Sequence, residues 1–257
     1  MTVITRGESS ERRKETVAHV VTLLKAAYPQ ARIVLHYSNS WELLVSVILS
    51  AQCTDVMVNK VTEKLFTKYP TLEDYVHADI KVFEQDIKST GFYHNKAKNI
   101  LAAAKLIREK FSGIIPRTMD EMLTIPGVAR KTANVVLGNA YGVVEGIAVD
   151  THVLRLSQRL RIVDLDKIGG KKSMVFKRDG LAKPQDHLLK NEQVVVDYKK
   201  DADPVKIERE LMDVIPKSDW FKLTYLLIDH GRAVCKAQNP DCAHCMLRIL
   251  CPASRTS

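Results

Sequence analysis

Apolar residues recur at helical spacing along almost the whole chain. Over Glu15–Ala27, Val17, Val20, Val21 and Leu24 fall at i, i+3, i+4 and i+7, which predicts an amphipathic helix. Polar capping pairs mark further helix starts: Asn39 with Glu42 at the opening of Trp41–Ala51, Thr71 with Asp74, and Thr118 with Glu121. Asn95 is placed to cap Lys96–Phe111, which ends at Gly113. The same periodicity predicts helices over Lys131–Ala140, Thr151–Leu160, Pro204–Val214 and Ser218–His230. Strand alternation is scarce, so the chain reads as all-α.

One stretch departs from this pattern. Asp164–Asp203 contains Gly169–Gly170, Lys171–Lys172, Asp179–Gly180 and a valine-rich run, Gln193–Tyr198. Asp179–Gly180 suits a tight hairpin turn and the valine run suits a strand. The stretch reads as an irregular insertion in a helical body, an exposed surface loop. Its Lys171, Lys172, Lys177 and Arg178 would also suit an added contact to a polyanion.

A length of 257 residues allows one large domain or two modest ones. No apolar run approaches the roughly 20 residues that cross a bilayer, and Met1–Thr16 is polar and charged. A cytoplasmic protein is expected, free or associated with the nucleoid, without a membrane partner. The formal net charge of +9 and sequence pI of about 9.2 favour a polyanionic partner, though a merely basic surface has the same charge.

The segment Leu123-Thr-Ile-Pro-Gly-Val-Ala-Arg-Lys-Thr-Ala-Asn-Val-Val-Leu137 carries candidate chemistry. An apolar helix ends near Ile125, Pro126–Gly127 forces a turn, and a second helix begins near Val128. Gly127 lets the backbone come close to a ligand, and the free amides of the new helix start can hold an anion. Such a hairpin grips a DNA backbone without reading bases, although an ordinary helical corner can have the same sequence. Lys131 lies in the first turn, where the helix dipole opposes positive charge and an amine nucleophile is favoured. Asp150 follows the apolar Ile147-Ala-Val149 and can cap the next helix through the amides of His152 or Val153. Taken singly, Lys131 is equally a phosphate contact and Asp150 equally a plain cap. Together with the hairpin they offer a DNA grip, a nucleophile and a carboxylate.

Four of the five cysteines are clustered, as Cys235-x6-Cys242-x2-Cys245-x5-Cys251. That span can wrap one metal centre. Structural zinc usually uses two separated Cys-x2-Cys knuckles, whereas an all-thiolate set also suits a [4Fe-4S] cluster, and spacing leaves both open. Cys53 is expected on an apolar helix face as a small buried residue.

The run Pro126–Leu137, together with Val149-Asp-Thr-His152, Leu49-Ser-Ala-Gln-Cys-Thr-Asp55 and Gly91-Phe-Tyr-His-Asn-Lys-Ala-Lys-Asn-Ile100, resembles the endonuclease III family of DNA glycosylases and abasic-site lyases. The resemblance covers most of the chain outside Asp164–Asp203 and the extreme ends. It implies a helix-hairpin-helix DNA glycosylase fold, with a six-helix module over residues 33–144. An iron–sulfur module would be formed by 1–32 and 145–257, with the insertion at 164–203. It implies Lys131 as the nucleophile and Asp150 as its partner. Gln52 would fill the gap left by an everted nucleotide and Phe92 would wedge into the opposite strand. Gly127, Ala129, Arg130 and Thr132 would contact DNA, and Cys235, Cys242, Cys245 and Cys251 would hold a [4Fe-4S] cluster. The expected partner is damaged double-stranded DNA, the expected substrates are oxidised pyrimidines, and a monomer is expected. The chain departs from the family pattern in Ala129 for the second hairpin glycine, in Phe92 where leucine is usual, and in one extra residue near Gly142–Gly146. A monofunctional adenine or mismatch glycosylase is the rival enzyme reading, but such relatives generally lack the lysine. A non-catalytic DNA clamp is the rival outside enzymes.

Overall fold

The computed structural model describes residues 10–177 and 194–256. Two compact units form: Ile33–Glu145, and Gly146–Ser257 together with Met1–Arg32. The all-α reading holds for nearly all of the chain, with one small sheet added. The turn expected at Asp179–Gly180 and the cation Arg178 lie outside the described residues.

The second, discontinuous unit contributes α1 (Ser10–Ala27). The central unit carries α2 (Ser40–Leu49), α3 (Asp55–Lys68), α4 (Leu72–His77), α5 (Ile80–Ile87), α6 (Tyr93–Phe111), α7 (Met119–Met122) and α8 (Arg130–Tyr141). Helix α2 is apolar around nearly its whole circumference, which marks a helix buried on all sides. It packs against α3, α6 and α8. A cluster of rings, Trp41, Tyr69, Tyr75 and Phe83, closes the far side, with edge-on pairs at 5.0 Å (Trp41–Tyr75) and 5.7 Å (Tyr75–Phe83).

Side-chain caps set several of these helices. Asn39 accepts from the Glu42 amide at 2.9 Å, and Thr71 with Asp74 forms a reciprocal capping box. Two sequence expectations are corrected. Asn95 caps nothing, because α6 starts at Tyr93 after left-handed Gly91 and Phe92, so Asn95 already lies within the helix. Cys53 is not on a helix: α2 stops at Leu49, and Cys53 is a half-buried residue of the following turn.

The discontinuous unit packs α1 against α10 (Pro204–Val214) and α11 (Trp220–Ala233), and α9 (Thr151–Arg159) against α10 and α11. Helices α9 and α11 meet where α11 has no side chain: a Cβ on Gly231 would lie 2.5 Å from His152 Nδ1. The insertion forms strands β1 (Ser173–Lys177) and β2 (Val194–Lys199), paired antiparallel. Met174 faces Tyr198 and Val175 faces Val196, so Asp197 is the extra residue of a bulge. The expectation of a solvated loop is therefore corrected for the described part, since β2 packs on α9 and both Phe176 and Asp197 are buried. Among the described residues no helix is long and apolar enough to cross a membrane.

Candidate active site and cysteine centre

The hairpin between α7 and α8 turns on Gly127, at φ 79°. Any Cβ there would be strained, and it would also stand 2.9 Å from Asn99 Cβ on α6. The glycine is thus needed for the turn to close against α6. Helix α8 begins at Arg130, between the two starts the sequence suggests (near Val128 and at Lys131), because Val128 is still in the turn, its amide bonded to the Ile125 carbonyl. Its N-cap is Ala129, which has no side-chain acceptor to offer the first amides. Gly127 and Ala129 are exposed and Arg130 is half-buried. Thr132, the third residue of α8, is buried (9% exposed).

Lys131 is the second residue of α8 and half-buried, and its ammonium has no hydrogen-bond or ion-pair partner among the described residues. In the discontinuous unit, Asp150 caps α9, with Oδ1 accepting from the amides of His152 and Val153, each at 2.8 Å. The approach to it is fixed by buried Ile147, Ala148 and Val149, with the Thr224 hydroxyl donating to the Ala148 carbonyl at 3.1 Å.

Two loops of the central unit present the other predicted residues. Gln52 (φ 53°) and Phe92 (φ 49°) both hold left-handed backbone, and both are exposed, Phe92 by 63%. For residues other than glycine this costs about 1–2 kcal/mol each.

Cys235, Cys242, Cys245 and Cys251 line one cavity, all as free thiols. Burial, reinforced by neighbouring cysteines, pushes Cys245 up to about 11 and raises Cys235 and Cys251 as well. Arg159 donates to Cys235 Sγ at 3.3 Å, and His230 Nε2 lies 3.6 Å from Cys245 Sγ. Among the described residues, no three His, Cys, Asp or Glu side chains converge on a position for a single metal ion.

Sequence reasoning did not single out three residues that organise these features: Lys96, Arg159 and Asp197. A charge within the valine-rich β2 was a usable signal for Asp197. Lys96 and Arg159 sit on helix faces whose partners are distant in sequence.

Residues 45–178, about half of the chain, match the HhH-GPD superfamily of base excision DNA repair proteins. The endonuclease III of Synechocystis sp. is 44% identical over 245 residues, 95% of each chain. That of Bacillus subtilis is 43% identical over 224 residues, 87% of this chain and 86% of its own. A solved structure of a trapped endonuclease III–DNA covalent intermediate is similar at a TM-score of 0.77 and 38% identity, covering 94% of this chain and 97% of that one. The chain belongs to the endonuclease III family of base excision DNA glycosylases.

Proposed function

We propose that the protein is a bifunctional DNA glycosylase and abasic-site lyase. Acting as a monomer on damaged duplex DNA, it removes oxidised pyrimidines and cuts the strand by β-elimination. The observation that carries this is Lys131: half-buried, without a partner among the described residues, and in the first turn of a helix that lacks a side-chain cap. An amine that no neighbouring side chain engages is available to attack a sugar carbon.

The damaged nucleotide is flipped out, because its C1′ is out of reach in the stack. The Lys131 Nζ lone pair bonds to C1′ as the glycosidic bond breaks, and the base leaves with the bond electrons and takes up a proton. The Asp150 carboxylate stabilises the positive charge on the sugar and accepts the proton that the attacking amine must lose. The C1′–O4′ bond then breaks, O4′ takes up the proton that Asp150 accepted, and a protonated Schiff base is left. Loss of a C2′ proton then expels the 3′ phosphate, and water releases the lysine. Gln52 and Phe92 occupy the gap, while the amides after Gly127 and Ala129, with Arg130, hold the backbone. The trapped DNA adduct of the 38%-identical relative supports a covalent route.

Cys235, Cys242, Cys245 and Cys251 would hold a [4Fe-4S] cluster, making the discontinuous unit an iron–sulfur module and the central unit the hairpin-bearing module. The four thiols facing one cavity fit that group. Zinc needs all of its ligands at about 2.3 Å from one point, whereas a cluster offers each thiolate its own iron. Four cysteines, with no carboxylate ligand among them, are a donor set that suits the cluster. When bound, it supplies iron–thiolate bonds that tie down the loop, and it takes no part in the steps above.

The test is incubation with duplexes carrying thymine glycol, an abasic site or a mismatch, read separately for base release and strand cleavage, with and without borohydride. Release and cleavage are expected with thymine glycol, and borohydride should leave a covalent adduct. Lys131→Gln should form no adduct while still binding the duplex. An adduct with Lys131→Gln, or activity on the mismatch alone, would overturn the assignment.

A further inference from the structure

Lys96 lies in α6 and is only 5% exposed, yet it carries an ammonium group. Nζ donates to the Leu49 carbonyl and to the Thr90 carbonyl, each at 2.8 Å. Leu49 is the last residue of α2, and Thr90 is the last residue of the 3-10 turn Lys88–Thr90. Both carbonyls belong to helix ends, where the main chain has no onward partner of its own.

The two acceptors open the two loops that bear strained residues. Gln52 follows Leu49 by three positions, and Phe92 follows Thr90 by two. The first loop is closed by the Cys53 amide on the Ser50 carbonyl, and the second by the Gly91 amide on the Lys88 carbonyl. The Lys96 main-chain amide also bonds the Phe92 carbonyl, at 3.2 Å. Burial holds the Lys96 amine below its ordinary range, so keeping it charged there works against desolvation. An apolar side chain would fill the same space without that penalty. What it could not do is bond two carbonyls from separate loops at once.

We propose that Lys96 is a positioning residue that fixes the spacing between the Gln52 loop and the Phe92 loop, so that the two side chains enter a duplex as one preorganised pair. This rests on the insertion roles proposed for Gln52 and Phe92. A clamp of this kind pays the ordering cost when the protein folds, and so spares it when the protein binds. It acts only where both loops must enter the stack together, and leaves phosphate contacts elsewhere untouched.

The experiment compares wild type with Lys96→Met, Lys96→Gln and Lys96→Arg on two duplexes, one undamaged and one holding a tetrahydrofuran abasic-site analogue. 2-Aminopurine opposite the analogue reports unstacking of the facing base. Lys96→Met should bind the undamaged duplex as wild type does. Its preference for the analogue should fall by about tenfold, the scale of a lost charged hydrogen bond, and the 2-aminopurine signal should shrink. Lys96→Arg, which keeps donors for both carbonyls, should recover much of each. If Lys96→Met does not fold, Lys96→Gln carries the comparison, because its amide is neutral and its side chain is shorter than the lysine's. An unchanged preference and signal in the folded variant overturns the inference, as does a fall that merely tracks weaker binding to undamaged DNA. Gln52→Ala and Phe92→Ala separate the two ideas. If neither lowers the preference or the signal, the insertion reading itself falls; if they do and the Lys96 variants do not, only the clamp falls.

Discussion

Arg159 holds Asp197 at two points, Nε to Oδ1 at 2.6 Å and Nη2 to Oδ2 at 2.7 Å, with both side chains almost wholly buried. Asp197 is the bulged residue of β2, and a bulge re-aims a side chain that regular pleating would place elsewhere. The same guanidinium donates to Cys235 Sγ and to the main-chain carbonyls of Lys236 (2.7 Å) and Ala237 (2.8 Å). Strand β2, helix α9 and the start of the cysteine loop thus share one buried charge pair.

Asp197→Asn strips that guanidinium of its counterion. Breaking a buried pair from one side costs about 3–5 kcal/mol, so denaturant unfolding should show a loss of that size. With the proposed cluster bound, loss of its visible absorbance under chelator should quicken by about tenfold, the lower end for partners that orient metal ligands. Wild-type stability and chelator resistance in Asp197→Asn would show that the insertion does not buttress the loop.

Asp150 serves as cap and proposed reaction partner, and two substitutions separate these roles. Asp150→Ala loses both cap bonds and should destabilise by about 1 kcal/mol, whereas Asp150→Asn, a good cap, should cost much less. Strand cleavage should fall by at least about 100-fold in both. Calorimetry alongside single-turnover cleavage checks this, and an active Asp150→Asn would reduce the residue to a cap.

Gly127→Ala should be costly in two ways. The left-handed backbone adds about 1–2 kcal/mol, and the new Cβ meets Asn99 Cβ at 2.9 Å. A total of about 2–3 kcal/mol is expected in urea unfolding, together with weaker, less salt-sensitive DNA binding if the hairpin amides hold phosphates as proposed. Unfolding at the wild-type midpoint would mean that the turn has room this geometry denies.

The elements whose causes are local were legible in the sequence. Val17, Val20, Val21 and Leu24 are all buried on α1, Pro204–Val214 is a helix over those residues, and Thr71 and Asp74 form the capping box their spacing foretells. Misreadings arose where backbone handedness or distant partners decide. Left-handed Gly91 and Phe92 launch α6 ahead of Asn95, and the turn bond from Val128 to Ile125 delays α8 until Arg130. Hairpin, lysine, aspartate and cysteines could be picked out because each lies in a short run with its own chemistry. Lys96 and Arg159 could not, since their roles come from Leu49, Thr90 and Asp197, residues that only folding brings near.

The discontinuous unit draws α1 from one end of the chain and α10 and α11, against which α1 packs, from the other. On the ribosome, α1 therefore emerges long before either partner has been made. Ile33–Glu145 is continuous with its own core, so it can collapse while the C-terminal half is still being synthesised. Through that interval the Val17–Leu24 stripe waits uncovered beside a finished neighbour. Nascent chains stalled before Pro204 should thus be the form that chaperones hold and proteases clip, and the cut should fall in the first helix.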